Sequence, residues 1–288
     1  MNKDFEKLKR DIKRQKEKTP PYEKILDFYE KVREKQIDTI PALSIASVET
    51  KKDIRELQIK EGFPLINKED FTLDIPSSVE LFESLCTIAK DATSTMNETI
   101  QKIDKALADD RLHLDELLLK HSDTVYQEKI ADELKINKSI LQFLVHMSIL
   151  PSIYANVEKL KEHVDIKNWV RGYCPICGSL PSMSELKGEG GKRHFMCSFC
   201  GFKWLSQRIK CPFCDNQDQK KLHFFFAEGQ QAYRADLCEQ CKQYIKTVDT
   251  RQLSYEPDLD IEDIATIHLD ILASEKGFKH PVPSPWGI

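Results

Sequence analysis

CPICGSLPSMSELKGEGGKRHFMCSFC, at residues 174–200, and CPFCDNQDQKKLHFFFAEGQQAYRADLCEQC, at residues 211–241, are the stretches of sequence that decide the fold. Each stretch begins and ends with a Cys-x-x-Cys pair. One tight turn can hold two thiols at this spacing and point backbone N–H groups at the sulfurs, so one pair supplies half of a tetrahedral metal site. Four pairs within 68 residues therefore predict two four-cysteine metal sites.

The spacing between the pairs predicts how they combine. The intervals are 19, 10 and 23 residues, so joining consecutive pairs gives two similar ribbons with a short connector. The alternative is a cross-brace, first pair with third and second with fourth, as in FYVE-type lipid-binding fingers. Residues 192–194 (KRH) faintly echo the basic motif of those fingers, but their full basic run and short central spacing are missing. We expect consecutive pairing, with Cys174, Cys177, Cys197 and Cys200 in one site and Cys211, Cys214, Cys238 and Cys241 in the other.

Both predicted sites have sulfur ligands only. Four thiolates fill a tetrahedral site, which is the arrangement of structural zinc and leaves no position for a substrate. A single iron of the rubredoxin type accepts the same ligands, so the donor set does not choose between iron and zinc. A thioredoxin-like pair would stand alone between a strand and a long helix, which disfavours a purely thiol redox role. We predict two tetrahedral metal ions, iron or zinc, and no catalytic residue.

The N-terminal half is predicted to be helical. From about residue 20 to 166, apolar residues recur at spacings of three and four, as in Ile25, Phe28, Tyr29 and Val32. The ninth cysteine, Cys86, falls on such a stripe and is expected in the core. Pro151 should end or kink the helix that contains it. The segment GFPLINKEDF, residues 62–71, is the clearest break in a domain of six to eight helices.

The C-terminal half has short β-type runs, at residues 193–196, 203–205, 222–226, 233–237 and 244–248. A short helix is expected at residues 261–276. The fold class is therefore α+β: an all-helical N-terminal domain, two tandem rubredoxin-like or zinc-ribbon modules and a C-terminal helix. The expected boundaries are 1–166 for the helical domain, 167–207 and 208–253 for the two metal modules, and 254–288 for the C-terminal helix and tail.

Charge and hydropathy limit the compartment and the partners. Residues 2–18 alternate charges, which predicts a solvated or frayed helix, and they contain no apolar run of signal-peptide length. We found no stretch of about 18 apolar residues, so we expect a soluble cytoplasmic protein without a membrane partner. Reduced thiols in that compartment also argue against a disulfide set.

The net charge argues against a nucleic-acid partner. It is −4 for the whole chain. Residues 167–253 hold 14 Lys and Arg against 8 Asp and Glu, but eight thiolates and two divalent ions would reduce this excess to about +2. A small basic and aromatic patch of Lys203, Trp204, Arg208 and Lys210 is the remaining candidate for such a surface.

Several motifs resemble the FdhE family, the accessory proteins that bacteria need to form active formate dehydrogenase. The resemblance lies in WVRGYCPICGS at 169–179, RIKC at 208–211, EG at 228–229 and YRADLC at 233–238. Similar motifs occur outside the cysteine region, in LDFY at 26–29, GFPL at 62–65 and DIA at 263–265. The resemblance therefore spans nearly the whole chain.

The resemblance implies a helical domain followed by two rubredoxin-like or zinc-ribbon modules. It also implies a non-enzymatic role: binding of the formate dehydrogenase catalytic subunit in the cytoplasm, during cofactor loading and before any export. Iron of the rubredoxin type is the metal usually suspected in this family, although CEQC at 238–241 lacks the glycine of a typical knuckle. The alternatives are a rubredoxin-like electron-transfer protein and a zinc-ribbon nucleic-acid-binding protein. The sequence does not predict an oligomeric state.

Overall fold

The structure is a computed structural model that describes residues 3–46, 48, 52–164, 169–282 and 284, with the side chains of 3–4 and 52–56 excepted. The chain divides into two compact units. Unit 1 comprises Met1–Val48 and Lys68–Lys159, and unit 2 comprises Glu49–Asn67 and Leu160–Ile288. The segment before Lys68 thus groups with the cysteine-rich half of the chain.

The described α-helices are numbered in chain order. They are α1 (Lys3–Lys18), α2 (Glu23–Thr39), α3 (Lys52–Glu61), α4 (Ile75–Ala89), α5 (Ser94–Ala108), α6 (Leu114–Leu119), α7 (Thr124–Leu134), α8 (Lys138–Leu160), α9 (Leu259–Ala265) and α10 (Ile267–Glu275).

Unit 1 is built from helices whose apolar stripes face a common core. Phe28 and Val32 of α2 are buried, as are Phe82 and Leu85 of α4. Cys86 is also buried, and burial raises the pKa of its thiol to about 12, so it remains a neutral core residue. Side-chain caps fix where several helices begin; for example, the Asp74 carboxylate accepts the Ser77 N–H at the start of α4.

Helix α1 is better packed than its charges suggest. Phe5, Leu8 and Ile12 are spaced at three and four residues and are buried. The prediction of a solvated or frayed helix over residues 2–18 was therefore wrong for the described part. The apolar stripe is narrow and is easily hidden among many lysines, but it is long enough to hold the helix on the core.

Helix α8 continues through Pro151, where the sequence predicted an end or a kink. Proline lacks the N–H that would bond the carbonyl four residues earlier, which is that of Met147. The buried side chain of Gln36 replaces that donor: its Nε2 lies 2.7 Å from the Met147 carbonyl oxygen. The helix therefore continues because a residue of α2 bonds the carbonyl that the proline leaves without a donor.

One helical stretch among the described residues, Lys138–His163, is long and apolar enough to cross a membrane by length and composition. This finding differs from the expectation that no stretch of the chain approaches the length and hydropathy of a membrane span. Inside the protein 72% of its apolar window is buried. This is the burial of a core helix and fits a soluble protein.

Unit 2 is organised by one six-stranded sheet. Its strands are β1 (Pro181–Lys187), β2 (Lys192–Cys197), β3 (Lys203–Ser206), β4 (Leu222–Phe226), β5 (Tyr233–Cys238) and β6 (Gln243–Asp249), in the order β3-β2-β1-β6-β5-β4. β1, β2 and β3 form one antiparallel meander, and β4, β5 and β6 form another. The central strands β1 and β6 pair in parallel, which joins the two ribbons into a single sheet.

Strand β1 was missed by the sequence analysis. Its sequence, PSMSELK, has few β-branched or aromatic residues. The strand forms because it lies between β2 and β6, with Met183 opposite both Met196 and Lys246. The other five strands lie where the β-type runs predicted them.

Two C-terminal helices pack on this sheet, where the sequence predicted a single helix over residues 261–276. Leu259 of α9 packs with Met183, Met196 and Val248, one side chain from each of three strands. Ala273 of α10 belongs to a second apolar cluster on β5 and β6. The helices therefore cover both ribbons.

A buried lysine also holds these helices to the sheet. The Lys246 Nζ lies 2.7 Å from Asp263 Oδ1 and 2.6 Å from Asp270 Oδ2. Burial alone would lower the pKa of Lys246, but the two carboxylates raise it above its ordinary value, so the lysine remains charged. The overall arrangement confirms the predicted α+β class, with helices first and two four-cysteine ribbons after them.

The hydrogen bond between Gln36 and Met147 gives a prediction for unit 1. Gln36→Leu should lower the free energy of unfolding by about 1–3 kcal/mol, because it leaves a buried carbonyl without a donor. Pro151→Ala in the same chain should recover most of this loss, since alanine restores the N–H of the ordinary helical bond. Chemical denaturation followed by far-ultraviolet circular dichroism compares both variants with the wild-type protein. An equal loss with and without Pro151→Ala would contradict the explanation.

Candidate metal centres

The structure brings the cysteines together in two groups of four. One group contains Cys174, Cys177, Cys197 and Cys200, and the other contains Cys211, Cys214, Cys238 and Cys241. Within each group all four sulfurs lie within 4.8 Å of one another. The pairs combine consecutively, so the cross-braced alternative does not describe this fold. All nine cysteines of the chain are free thiols.

The distances between the sulfurs fit a tetrahedron around one metal ion. In the first group the Sγ–Sγ distances are 3.7 Å for Cys174 to Cys200, 3.4 Å for Cys177 to Cys197 and 3.7 Å for Cys177 to Cys200. A tetrahedral ion with metal–sulfur bonds of about 2.3 Å requires edges of about 3.8 Å. A disulfide would bring two sulfurs to about 2.0 Å. Each group could therefore hold one metal ion.

The second group has the same spacing and more solvent access. The Sγ–Sγ distances are 3.7 Å for Cys211 to Cys241 and 3.6 Å for Cys214 to Cys238. Cys214 and Cys241 are half-buried, whereas all four cysteines of the first group are buried. The first centre is closed to solvent on every side and the second is partly open.

All four Cys-x-x-Cys turns have the same backbone geometry. The residue that follows each pair donates its N–H to the carbonyl of the first cysteine, over 2.9, 3.1, 3.1 and 2.8 Å along the chain. That residue is in the left-handed region in every case. It is Gly178 or Gly201 in the first centre, but Asp215 or Lys242 in the second. The fourth pair, expected to be the least typical, therefore adopts the same turn as the others. Its Lys242 takes a left-handed backbone conformation that is strained for a residue with a side chain.

Donors within the turns also reach the sulfurs. The Cys200 N–H lies 3.4 Å from the Cys197 sulfur in the first centre. In the second centre the Asn216 side-chain amide donates to the Cys238 sulfur over 3.5 Å. Burial raises the pKa of Cys238, but hydrogen bonds from the Cys241 N–H, the Asn216 amide and the Gln240 N–H outweigh it and lower the pKa to about 7. Such donors stabilise negative charge on sulfur, as metal–thiolate sites require.

Four thiolates cannot share so small a volume without a cation. Burial raises the pKa of both Cys174 and Cys200 well above the ordinary value of a thiol. Bonds from neighbouring thiols, first from Cys174, hold the pKa of Cys177 below that value instead. A divalent ion would offset the mutual repulsion and allow all four thiols to ionise. Zinc and iron both fit a tetrahedral all-sulfur donor set.

The segment that the sequence analysis treated as a break clamps the first centre. Leu65 N–H donates to the Pro175 carbonyl over 2.9 Å, and Ile66 N–H donates to the Ile176 carbonyl over 3.0 Å. Pro64 lies against Gly178, where a Cβ would be 3.2 Å from its ring. The backbone of residues 65 and 66 thus holds the first cysteine turn through two hydrogen bonds. No local sequence signal identifies this partner, since the two segments are more than 100 residues apart.

The residues just before Cys174 connect the two centres. Gly172 lies so close to the second centre that a Cβ would sit 1.9 Å from the Pro212 carbonyl oxygen. Only glycine fits at this position. The Tyr173 hydroxyl donates to the Gly62 carbonyl over 2.6 Å, and Trp169 Nε1 donates to the Tyr173 carbonyl over 2.8 Å. Residues 169–173 therefore lead into the first cysteine turn and contact both the Cys211 turn and Gly62, two residues before the clamp.

A buried ion pair ties the two ribbons together behind the centres. Arg193 of β2 lies 3.0 Å from Asp236 of β5 and also donates to Ser184 of β1 over 2.9 Å. The Thr247 hydroxyl of β6 donates to the same Asp236 carboxylate over 2.6 Å. Four strands from both ribbons thus meet at one Arg–Asp pair. The second centre is held in register with the first by this pair as well as by the sheet.

Comparison with known proteins identifies the family to which this arrangement belongs. Residues 173–208 match the family model described as "FdhE, central domain", and residues 209–286 match "FdhE, C-terminal domain". The boundary between the two models falls between the two cysteine groups. The chain belongs to the FdhE family.

Individual FdhE proteins show how far the similarity extends. The FdhE homologue of Aquifex aeolicus is 27% identical over 91% of this chain and 88% of its own length. The FdhE homologue of Stutzerimonas stutzeri and FdhE of Escherichia coli K12 are each 32% identical, but the matches cover only 37% and 38% of those relatives. The crystal structure of FdhE from Pseudomonas aeruginosa shares the fold, with a TM-score of 0.71 and 17% identity over 97% of this chain and 94% of that one.

The motifs that resemble the FdhE family now have structural explanations. WVRGYCPICGS includes the connecting residues 169–173 and the first cysteine turn. GFPL provides the clamp, and YRADLC contains Asp236 of the buried ion pair. These motifs therefore hold the two centres together. We propose that the four cysteines of each group are metal ligands, with residues 167–207 and 208–253 as the two modules.

The basic and aromatic patch predicted at residues 203–210 is not a free surface. Trp204 is fully buried, and its Nε1 donates to the Arg171 carbonyl over 3.3 Å. Lys210 is ion-paired with Asp215, and Lys203 lies 3.6 Å from the buried carboxylate of Glu185. A buried indole cannot stack on a base. The patch therefore no longer supports a nucleic-acid-binding function.

The difference between the centres predicts the order in which metal is lost. A chromogenic chelator should remove metal from the second centre first, because Cys214 and Cys241 are half-buried and accessible. In addition, the residues that follow its two cysteine pairs, Asp215 and Lys242, have a positive φ without being glycine. Lys242→Gly should slow this phase, since it removes a strain of about 1 kcal/mol. Gly178→Ala, at φ +73°, should instead accelerate loss from the first centre. Equal release rates from both centres would contradict this interpretation.

The ion pair behind the centres gives a second prediction. Asp236→Asn leaves Arg193 buried without a counter-charge and should destabilise unit 2 by about 3 kcal/mol. All three tryptophans of the chain lie in residues 160–288, so tryptophan fluorescence during denaturation reports on unit 2 alone. Glu256→Gln, which removes the exposed partner of Lys187, is the control and should cost less than about 1 kcal/mol. If both variants behaved alike, the ribbons would not depend on the buried pair.

Proposed function

We propose that this protein is a non-enzymatic accessory factor for the maturation of formate dehydrogenase, which binds the immature catalytic subunit in the cytoplasm. Membership of the FdhE family carries this proposal and supports the accessory role. The surface that recognises the subunit would belong to unit 2, because both family models lie there.

The chemistry of the centres supports a role without catalysis. Each centre offers four sulfurs at tetrahedral spacing, which would complete the coordination of a zinc or iron ion. A catalytic zinc keeps one position for water or substrate. The metal ions would therefore stabilise a recognition surface. In modules of this size, metal-binding free energy is folding free energy of about 10 kcal/mol or more per site.

Capture of the partner by cysteine variants tests this function. The full-length protein should bind formate dehydrogenase catalytic subunit produced without its cofactors, and it should bind the mature enzyme more weakly. Cys211→Ser with Cys214→Ser should reduce capture by about tenfold or more, because the second module loses its metal and its fold. Cys86→Ala is the matched control, since this thiol lies in the core of unit 1 and outside both groups.

Two outcomes would contradict the proposal. Undiminished capture by the cysteine double variant would show that recognition does not need the metal module. Failure of the wild-type protein to capture any form of the subunit would exclude binding as the mechanism of the accessory role.

Electron transfer is a second candidate function, and the openness of the second centre favours it. Half-buried Cys214 and Cys241 would bring a redox-active ion close to solvent and to a partner. This function requires iron, because zinc has no redox chemistry. Protein purified without oxygen should then be coloured and should be bleached reversibly by a reductant. A colourless protein that contains only zinc would exclude it.

A further inference from the structure

Strand β4 forms one edge of the sheet, and half of its backbone groups point outward. Among the described strands, β4 pairs only with β5. Glu239 N–H donates to the Lys221 carbonyl, so the bonded pairs are 221–239, 223–237 and 225–235. By the alternation of an antiparallel ladder, the N–H and C=O groups of residues 222, 224 and 226 face away from the sheet. The edge offers hydrogen bonds for one additional strand.

The same three residues also present apolar side chains on one face. Leu222, Phe224 and Phe226 alternate with the side chains that face α10, such as Phe225. Phe224 is 53% exposed and Phe226 is 43% exposed, and their rings pack edge-on with centroids 5.3 Å apart. An exposed aromatic edge strand is usually avoided because it invites pairing with another chain. Its presence here indicates a surface that a partner covers.

Charges near the strand indicate what kind of segment fits. Lys220 and Lys221 immediately precede β4, are exposed, and make no ion pair within the described part of the chain. The Arg234 guanidinium lies over the Phe224 ring, 4.7 Å from its centroid. At the other end of the strand the next acidic residue along the chain is Glu228, two residues beyond Phe226. Two carboxylates also lie near the start of the edge: Asp218 accepts the Lys220 N–H, and Glu239 is paired with Lys242. Lys220 and Lys221 still leave the start with a net positive charge, which would attract acidic residues.

We propose that the β4 edge binds an extended, acidic segment of a partner protein as an added antiparallel strand. The segment would carry apolar side chains at alternate positions, which cover Phe224 and Phe226. Two acidic residues would follow them in its sequence, because the C-terminal end of an antiparallel strand lies beside Lys220 and Lys221. Main-chain bonds supply affinity in such strand addition and the side chains supply specificity. The role of this edge in recognising an immature subunit rests on the proposed function. Such a subunit can offer a segment of this kind because part of it is not yet folded.

A second copy of the chain fits the edge less well. The symmetric antiparallel register places Phe224 opposite its own equivalent and pairs Lys220 with Glu228. It leaves Lys221 opposite Ala227, so one cation keeps no partner. An acidic segment of another protein can satisfy both lysines. The charges therefore favour a foreign strand over self-association.

Fluorescence anisotropy with synthetic peptides tests the proposal on the full-length, metal-loaded protein. The probe is a labelled peptide of about nine residues in which valine and phenylalanine alternate with serine, followed by two glutamates. Two control peptides have the glutamates replaced by lysines, or have N-methyl groups on the amides that would face β4. The first probe should bind, and each control should bind about tenfold more weakly or worse, because it loses the charge pairing or the main-chain bonds.

Variants of the protein locate the binding site. Phe224→Ala with Phe226→Ala should weaken binding of the acidic peptide by about tenfold or more. Lys220→Glu with Lys221→Glu should reverse the preference in favour of the lysine-ended peptide. Ile271→Ala, which removes an exposed apolar side chain of α10, is the control and should change nothing. Retained metal content and tryptophan fluorescence confirm that each variant is folded.

The possible results separate this inference from the proposed function. No binding of the acidic peptide, or equal binding of the N-methylated one, would overturn strand addition. Concentration-dependent dimerisation that is lost in the phenylalanine variant would assign the edge to a second copy and would also overturn it. If the phenylalanine variant restored formate dehydrogenase activity fully in a strain lacking this protein, the edge would not be the recognition surface, while the accessory function would stand.

Discussion

The structure of unit 2 depends on one electrostatic constraint: four sulfurs lie within 4.8 Å of one another in each of two places. Their repulsion and their burial oppose ionisation, as the raised pKa of Cys174 shows. A divalent ion would remove this obstacle and would turn the repulsion into a fixed tetrahedron. Each ribbon is short, with strands of four to seven residues, and its apolar side chains pack in small clusters under α9 and α10. Metal ions at the two centres would therefore add to the stability that these small apolar clusters supply.

The two centres are joined into one body by contacts that surround them. The parallel pairing of β1 and β6 makes the two ribbons one sheet, and Arg193 with Asp236 fixes their register. Gly172 allows the entry to the first centre to touch the second, and the clamp from residues 64–66 closes the first centre on its outer side. These contacts explain why one centre is sealed while the other remains partly open. The motifs that resemble the FdhE family lie at these contacts between elements.

The sequence predicted the parts of this arrangement that have local causes. The Cys-x-x-Cys spacing predicted both groups, and the aromatic run LHFFF predicted β4 with its bounds. Distant partners decided the features that were missed. β1 has weak strand propensity and forms through β6, about 60 residues later. Helix α8 passes Pro151 because Gln36, more than 100 residues earlier, supplies a donor. No pattern near residues 62–66 reveals that they bind a cysteine turn.

The central claim is that each group of four cysteines binds one metal ion through sulfur alone. X-ray absorption spectroscopy at the metal edge of protein purified without oxygen tests it most directly. The account predicts a single shell of four sulfur atoms at about 2.3 Å from the metal, with no nitrogen or oxygen ligand. A shell that contains oxygen or nitrogen, or fewer than four sulfurs on average, would contradict the closed sites on which the account rests.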